Sequence, residues 1–242
     1  MRRKAMAAAS AGLIISIVGL CVTLFSPGAA NAAEAQHEKH IRKAAELIAK
    51  MQTQDDSETM ARTVKSGKAV AIFPSLLQAG LGIGGMHGEG VVLVKNSKGA
   101  WNGPSFTSLV GGSLGFQIGV KEVGLVLVIT NNDGLQAFTG GKSFKLGGDV
   151  SIAAGPVGRD AGAATDSRAA ASIYSYSMSK GLFAGVALSG STINVNGDAN
   201  KAYWGKATGA KEALGKPASG AKITPLTQEL DKLMKLAGAK KK

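Results

Sequence analysis

Glycine recurs inside the very segments whose other residues ask for β-strand. It stands at positions 80, 82, 84, 85, 88 and 90, and again at 111, 112, 115 and 119, among Val, Ile, Leu and Phe. Glycine weakens a strand, so a chain that keeps it there needs a bulge, a sharp bend or a close approach of two backbones. The 34 glycines among 242 residues are about twice the usual share, yet they follow no Gly-X-Y period, and only 6 prolines accompany them. Collagen-like and low-complexity chains are thereby excluded. A strongly curved, mostly antiparallel sheet, curled toward a barrel, meets the glycine requirement.

The apolar runs place the strands. Residues 69–73, 90–95, 106–120, 123–130, 144–154, 172–179 and 182–195 carry the β-type composition. Pro74 is expected to end the first, while Asn131-Asn132-Asp133-Gly134 and Asn196-Gly197 read as turns. Ahead of them, residues 33–53 read as a helix, with Ile41, Ala44, Ala45, Ile48 and Met51 on one face and Lys39, Arg42, Lys43 and Lys50 elsewhere. Two readings of that helix stay open: it packs on the core, or it lies on a membrane surface. A second short helix holds Met60, Ala61 and Val64, with Asp55 or Asp56 as its cap. After Trp204 the composition thins to Gly, Ala, Lys and Pro, an expected exposed linker. Leu226, Leu230, Leu233 and Met234 then mark a short amphipathic C-terminal helix. The expected class is α+β, with N-terminal helices and a helix at the C-terminus.

The first residues read as an address. Arg2, Arg3 and Lys4 precede an apolar run of about 15 residues, and Ala30-Asn31-Ala32 matches a cleavage site, so residues 1–32 read as a secretory signal peptide. The run is short of the roughly 20 residues a membrane anchor needs. The expected location is periplasmic or secreted. Leu20 before Cys21 argues against lipoprotein anchoring, and cleavage after Ala32 leaves a chain without cysteine. The organisation read from this is a signal peptide over 1–32, a folded domain over 33–205 and a lysine-rich extension over 206–242.

The chain carries +12 overall, and the basicity concentrates at the end: ten lysines from Lys201 onward face only Glu212, Glu229 and Asp231. Such a tail suits anionic lipid or an acidic partner. Aromatics are only 5%, too few for a platform of stacked bases, so no nucleic-acid partner is expected.

Motifs for catalysis fail on context. Residues 80–85 satisfy G-x-G-x-x-G, but a strand follows where a phosphate-binding helix must. Gly140-Gly141-Lys142-Ser143 lacks the leading glycine of a P-loop, since position 136 is glutamine. His37 and His40 lie one helical turn apart and read as exposed polar residues rather than as metal ligands. His87, between glycines, reads as a turn residue rather than as a general base. No G-x-S-x-G elbow occurs. No enzyme, metal or cofactor is expected.

An ordered set of motifs then narrows the class. It runs Ala69-Val70-Ala71-Ile72-Phe73-Pro74, the 80–90 glycine run, Trp101-Asn102-Gly103-Pro104-Ser105-Phe106, the 111–119 glycine run and Leu146-Gly147-Gly148-Asp149. Gly155-Pro156-Val157-Gly158-Arg159 and the 175–185 stretch from Ser175 to Gly185 complete it. In that order they resemble the SYLF family over roughly residues 40–205, as a bacterial secreted member. The resemblance implies non-catalytic binding of phosphoinositides or other anionic lipids, with an amphipathic segment at the start of the domain taking part. Some eukaryotic relatives also bind actin through neighbouring segments. For a secreted chain, anionic lipid at the cell envelope is the expected ligand.

The candidate lipid-binding residues follow. Lys39, Arg42, Lys43 and Lys50 attract head groups, and Ile41, Leu47, Ile48 and Met51 enter the interface. By the resemblance, Arg159 and Lys180 are further head-group residues. The motif aromatics Phe73, Trp101, Phe106, Tyr176 and Phe183 are expected in the core. The alternatives are an envelope adaptor whose basic tail holds an acidic protein or polymer, a hydrolase built on His87, and a curved sheet enclosing an apolar ligand.

Overall fold

The computed structural model describes residues 27–54, 57–155, 171–180, 182–183 and 186–238. Helices α1 (Pro27–Gln52) and α2 (Ser57–Ser66) precede two very long strands, β1 (Ala69–Lys95) and β2 (Trp101–Ile129). Then come α3 (Asn132–Thr139), β3 (Phe144–Lys145), β4 (Ile152–Ala154), β5 (Ile173–Ser179), β6 (Leu182–Phe183) and β7 (Thr192–Val195). Three helices close the described chain: α4 (Gly197–Trp204), α5 (Ala210–Gly215) and α6 (Thr224–Leu236). The class is α+β, as expected.

β1 and β2 form one antiparallel ribbon whose register runs from Ala69↔Ile129 to Lys95↔Trp101. β5 pairs with the end of β2 (Gly124↔Met178 to Ile129↔Ile173), and β7 pairs with its middle (Thr107↔Val195 to Val110↔Thr192). β3 extends β7, β6 is antiparallel to β5, and β4 pairs with β5 in parallel.

The ribbon folds back on itself, and here the glycines find their use. A Cβ on Gly88 would stand 2.9 Å from the carbonyl oxygen of Ser75, and one on Gly90 3.0 Å from that of Ile72. The second half of β1 therefore crosses the first in backbone contact. At the corner the Lys95 N–H donates to the carbonyl of Lys68 (2.8 Å), so the two ends of β1 meet.

This curl gives the sheet two buried faces. Val70, Ile72, Val126 and Val128 point to one core, shared with Ile41, Ile48 and Met51 of α1, Met60 and Val64 of α2, and Leu226, Leu230 and Leu233 of α6. The alternate residues Ala71, Phe73, Leu125, Leu127 and Ile129 point into a second core with Leu109, Phe138, Phe144, Ile173 and Ile193. Side chains alternate across a strand, so a strand buried on both faces reads as an unbroken apolar run, as residues 123–129 do.

Several expectations are corrected. β1 does not end at Pro74; a register shift between Phe73 and Leu76 absorbs the proline, which cannot donate to the ladder. The expected strands at 106–120 and 123–130 are one strand, whereas among the described residues of 182–195 the strands are β6 and β7. The two Asn-rich turns are helix starts: Asn131 Oδ1 accepts from the Gly134 N–H (3.0 Å) and Asn196 Oδ1 from the Ala199 N–H (2.9 Å). The same short side chain serves turn and N-cap alike, so the local signal could not separate them.

The segment after Trp204 is no exposed linker. Ala210, Ala213, Leu214 and Ile223 are buried, and α6 packs across α1 and α2. Trp101 Nε1–H donates to Asp231 Oδ1 (3.1 Å), Gln52 Nε2 donates to Glu229 Oε2 (2.9 Å), and Lys222 pairs with Glu38 (3.0 Å). The core thus runs continuously past residue 205.

The N-terminal address falls mostly outside the described residues, as do Cys21, Asp55 and Asp56. The motif Ala30-Asn31-Ala32 lies within α1. Among the described residues, no helix is long and apolar enough to cross a membrane.

Candidate functional site

α1 crosses the sheet with one apolar face down. Ile41, Leu47, Ile48 and Met51 are all buried in the core, which corrects their assignment as membrane-entering residues: they already pack against the sheet and its covering helices. Helical spacing then forces the charged positions outward. Lys39, Lys43, Glu46 and Lys50 recur at 3–4-residue intervals and form one exposed stripe. Arg42 lies to the side of it, exposed, 3.9 Å from Glu46.

Beside this stripe is an open cleft of about 200 Å³, lined by Lys43, Glu46, Leu47 and Lys50 from α1 and by Pro74 and Glu122 from the ribbon. Gly124 allows the close approach of helix and sheet, because Leu47 fills the space a side chain there would take. The ribbon continues beyond the cleft and supplies what α1 lacks. Leu77 pairs with Glu122 and Ala79 with Val120, so all four share one face of the pleat. Leu77 is 49% exposed and Val120 75% exposed, among the few large apolar side chains left to solvent. The cleft thus holds two basic residues of the helix, and its ribbon-side residue Glu122 shares a face of the pleat with two bare apolar side chains, Leu77 and Val120.

Lys180 is exposed, with a positive φ of 51°, and follows the ladder pair Gly124↔Met178 by two residues. It turns the chain from β5 to β6 at the same end of the sheet as Glu122. Arg159 lies outside the described residues. The apolar ribbon was missed by sequence reasoning; Leu77 and Val120 sit in apolar segments that look no different from core strand, and only the fold-back of β1 shows that among the described residues they stay exposed.

The lysines after Trp204 are more engaged than a solvated tail. Glu212 accepts from both Lys206 (3.0 Å) and Lys216 (3.1 Å), contacts that hold its carboxyl below the usual range. Lys216 also lies 4.5 Å over the ring of Trp204, and Lys232 binds Glu229 at 2.7 Å. Lys201, Lys211 and Lys235 are exposed.

The histidines depart from expectation. His87 is a strand residue, exposed, paired with Val110 and 3.7 Å from Glu89. His37 is buried rather than solvated, and burial holds both it and His40 below the ordinary imidazole range. Among the described residues, no three His, Cys, Asp or Glu side chains converge as a metal would need. Phe73, Trp101, Phe106 and Tyr176 are core residues, as expected; the side chain of Phe183 lies outside the described residues.

Comparison with known proteins matches more than half of this architecture. The family described as Ysc84, Las17-binding protein actin regulator, matches residues 110–233. The chain is 36% identical over 153 residues to LAS seventeen-binding protein 3 of Saccharomyces cerevisiae, covering 62% of this chain and 33% of that protein. It is 30% identical over 170 residues to SH3 domain-containing YSC84-like protein 1 of Xenopus laevis, covering 68% and 50% respectively. The mouse protein of that name is 31% identical over 144 residues, covering 60% and 42%. The chain thus spans a third to a half of the length of these curated relatives. The match runs through α4, α5 and nearly all of α6, the helices that complete the core.

Proposed function

Because the chain belongs to the Ysc84 family, the SYLF group, we propose that it works by binding rather than by catalysis, and that it docks on anionic lipid surfaces through the α1–ribbon cleft. The observation that carries this reading is an open cleft lined by Lys43, Lys50 and Glu122, with Leu77 and Val120 exposed on the ribbon face that Glu122 shares. The lysines, with Lys39 along the stripe, draw the module to a negative surface at about 1 kcal/mol each. The two apolar side chains then enter the interfacial layer, where burying such a side chain is worth roughly 1.5–3 kcal/mol. Charge selects the surface and the ribbon sets the depth. Lys180, at the same end of the sheet, adds to the attraction, and the anionic lipid of a cell envelope is the natural setting.

A second reading has its own support. The name of the Saccharomyces cerevisiae relative and the description of the family both state binding to Las17, a protein partner, so an adaptor role in which the surface holds an acidic protein or polymer is the rival.

Flotation with liposomes of graded anionic content separates the two. The full-length protein is compared with Lys39→Ala/Lys43→Ala/Lys50→Ala and with Lys201→Ala/Lys211→Ala/Lys235→Ala. Binding that rises with anionic lipid and falls only in the first variant supports the cleft. Loss confined to the second reduces lipid binding to the charge of the C-terminal helices. No binding at any composition favours the adaptor.

A further inference from the structure

Among the described residues, His37 is the buried side chain whose polar atoms find no hydrogen-bond partner, at either Nδ1 or Nε2. It projects from α1 and is 8% exposed, its ring centred 4.9 Å from the Phe106 ring of β2. Phe106 in turn contacts Tyr203 of α4 at 5.5 Å. A buried polar group without a partner is rare and needs a reason. As a neutral ring, His37 packs here as an aromatic side chain. As an imidazolium it carries two N–H donors and a charge, and among the described residues its seat offers no acceptor.

We propose that His37 makes the seating of the first half of α1 acid-labile: on taking a second proton the ring leaves Phe106, and the helix before Ile41 separates from β2 and α4.

The charged surroundings agree. On α1 itself stand Glu38, Lys39, His40 and Lys43; β1 contributes His87 and Glu89, α4 contributes Tyr203, and Lys222 approaches from the segment before α6. Burial comes first in opposing a charged His37, and His40 and Lys222 add to it, while Glu89 favours the charge. Glu89 is already engaged, since it accepts from Asn196 Nδ2 (3.0 Å) and lies 3.7 Å from His87. Glu38 is tied to Lys222 at 3.0 Å. Neighbouring residues 105 and 107 of β2 are neutral Ser and Thr. His40 is half-buried, and burial, with Lys43 and Lys39, holds its imidazole below the ordinary range against the pull of Glu89, so it pushes in the same direction.

The direction in pH is set by linkage. The seated ring binds its proton less readily than the free ring, whose ordinary value is 6.5. Seating is therefore fully favourable above that value and is lost as pH falls below it. The unseated fraction grows by up to about tenfold per pH unit until the seated ring itself titrates.

Amide hydrogen exchange on the full chain at pH 7.5 and 5.5, corrected for intrinsic rates, tests this. Peptides covering 36–44 should lose about tenfold in protection at the lower pH, while those covering β5 keep theirs. His37→Phe, which keeps a ring in the seat, should abolish the loss, and His40→Gln should retain it. Equal protection at both pH values in the parent protein overturns the proposal, as does an undiminished loss in His37→Phe. Where His37→Phe does not fold, the imidazole signal of His37 in the parent decides. Titration below 6.5 in step with the α1 amides supports the proposal, and titration at 6.5 with those amides unmoved overturns it.

Discussion

The side chain of Leu47 occupies the space that a Cβ on Gly124 would fill. This one contact fixes the height of α1 above the end of β2, and with it the width of the cleft between Lys43, Lys50 and Glu122. Gly124→Ala forces Leu47 and the helix outward, and overpacking of this kind costs about 1–3 kcal/mol. Urea denaturation should show the loss. Adding Leu47→Ala should recover part of it, because the two side chains compete for one volume; strictly additive losses would refute that relationship.

The helices after Trp204 are structural. A chain ending at Trp204 loses Leu226, Leu230 and Leu233, three fully buried residues, and bares the faces of α1 and α2 they cover. We expect it to lose cooperative unfolding, seen by circular dichroism and dispersion of amide resonances. The single change Leu230→Ala should cost about 2–5 kcal/mol. A stable truncated chain would return these residues to the status of an appendage.

On the binding surface, removing Lys43 should weaken association with anionic vesicles by about 1 kcal/mol, roughly fivefold, and reduce its salt dependence. Leu77→Ser or Val120→Ser should weaken it without changing the salt slope. Both apolar residues are solvent-facing, so the denaturation midpoint should stay within about 0.5 kcal/mol of the parent. Vesicle titration at two ionic strengths separates the charge and apolar contributions.

Tyr176 provides a test at high pH. Its hydroxyl donates to Thr63 Oγ1 (2.8 Å), joining β5 to α2, and burial pushes its phenol up to about 12 from an ordinary 10. The unfolded chain therefore gives up this proton before the folded one does. The contribution is intact below pH 10 and is lost as pH rises from 10 to about 12. Between those values Tyr176→Phe should show a shallower fall in stability than the parent, measured by denaturant midpoints. Parallel curves would mean that the phenol is not held neutral by the fold.

Much of this architecture was legible locally. Alternation and helical spacing report which face of an element is apolar, and they correctly marked Ile41, Ile48 and Met51 as one face and Lys39, Lys43 and Lys50 as another. What such patterns omit is the identity of the cover. The face of α1 read as bilayer-seeking is occupied by the sheet and its neighbouring helices, and the exposed apolar pair proposed to enter the bilayer, Leu77 with Val120, reads locally as core. His37 escaped for the same reason, since its burial comes from Phe106, remote in the chain, and not from its own helical neighbours.

The sequence by itself determined the α+β class, the strand-rich body with its need for glycine, the amphipathic N-terminal and C-terminal helices, and the family. Those features depend on residues within a few positions of one another or on motifs in order. Only the tertiary structure decided that β1 doubles back at Gly88 and Gly90, that α6 seals α1 and α2, and that Lys43 shares a cleft with Pro74 and Glu122. Each of these is a pairing of distant segments. Its energy comes from which apolar surfaces exclude water together, and no local pattern records that choice.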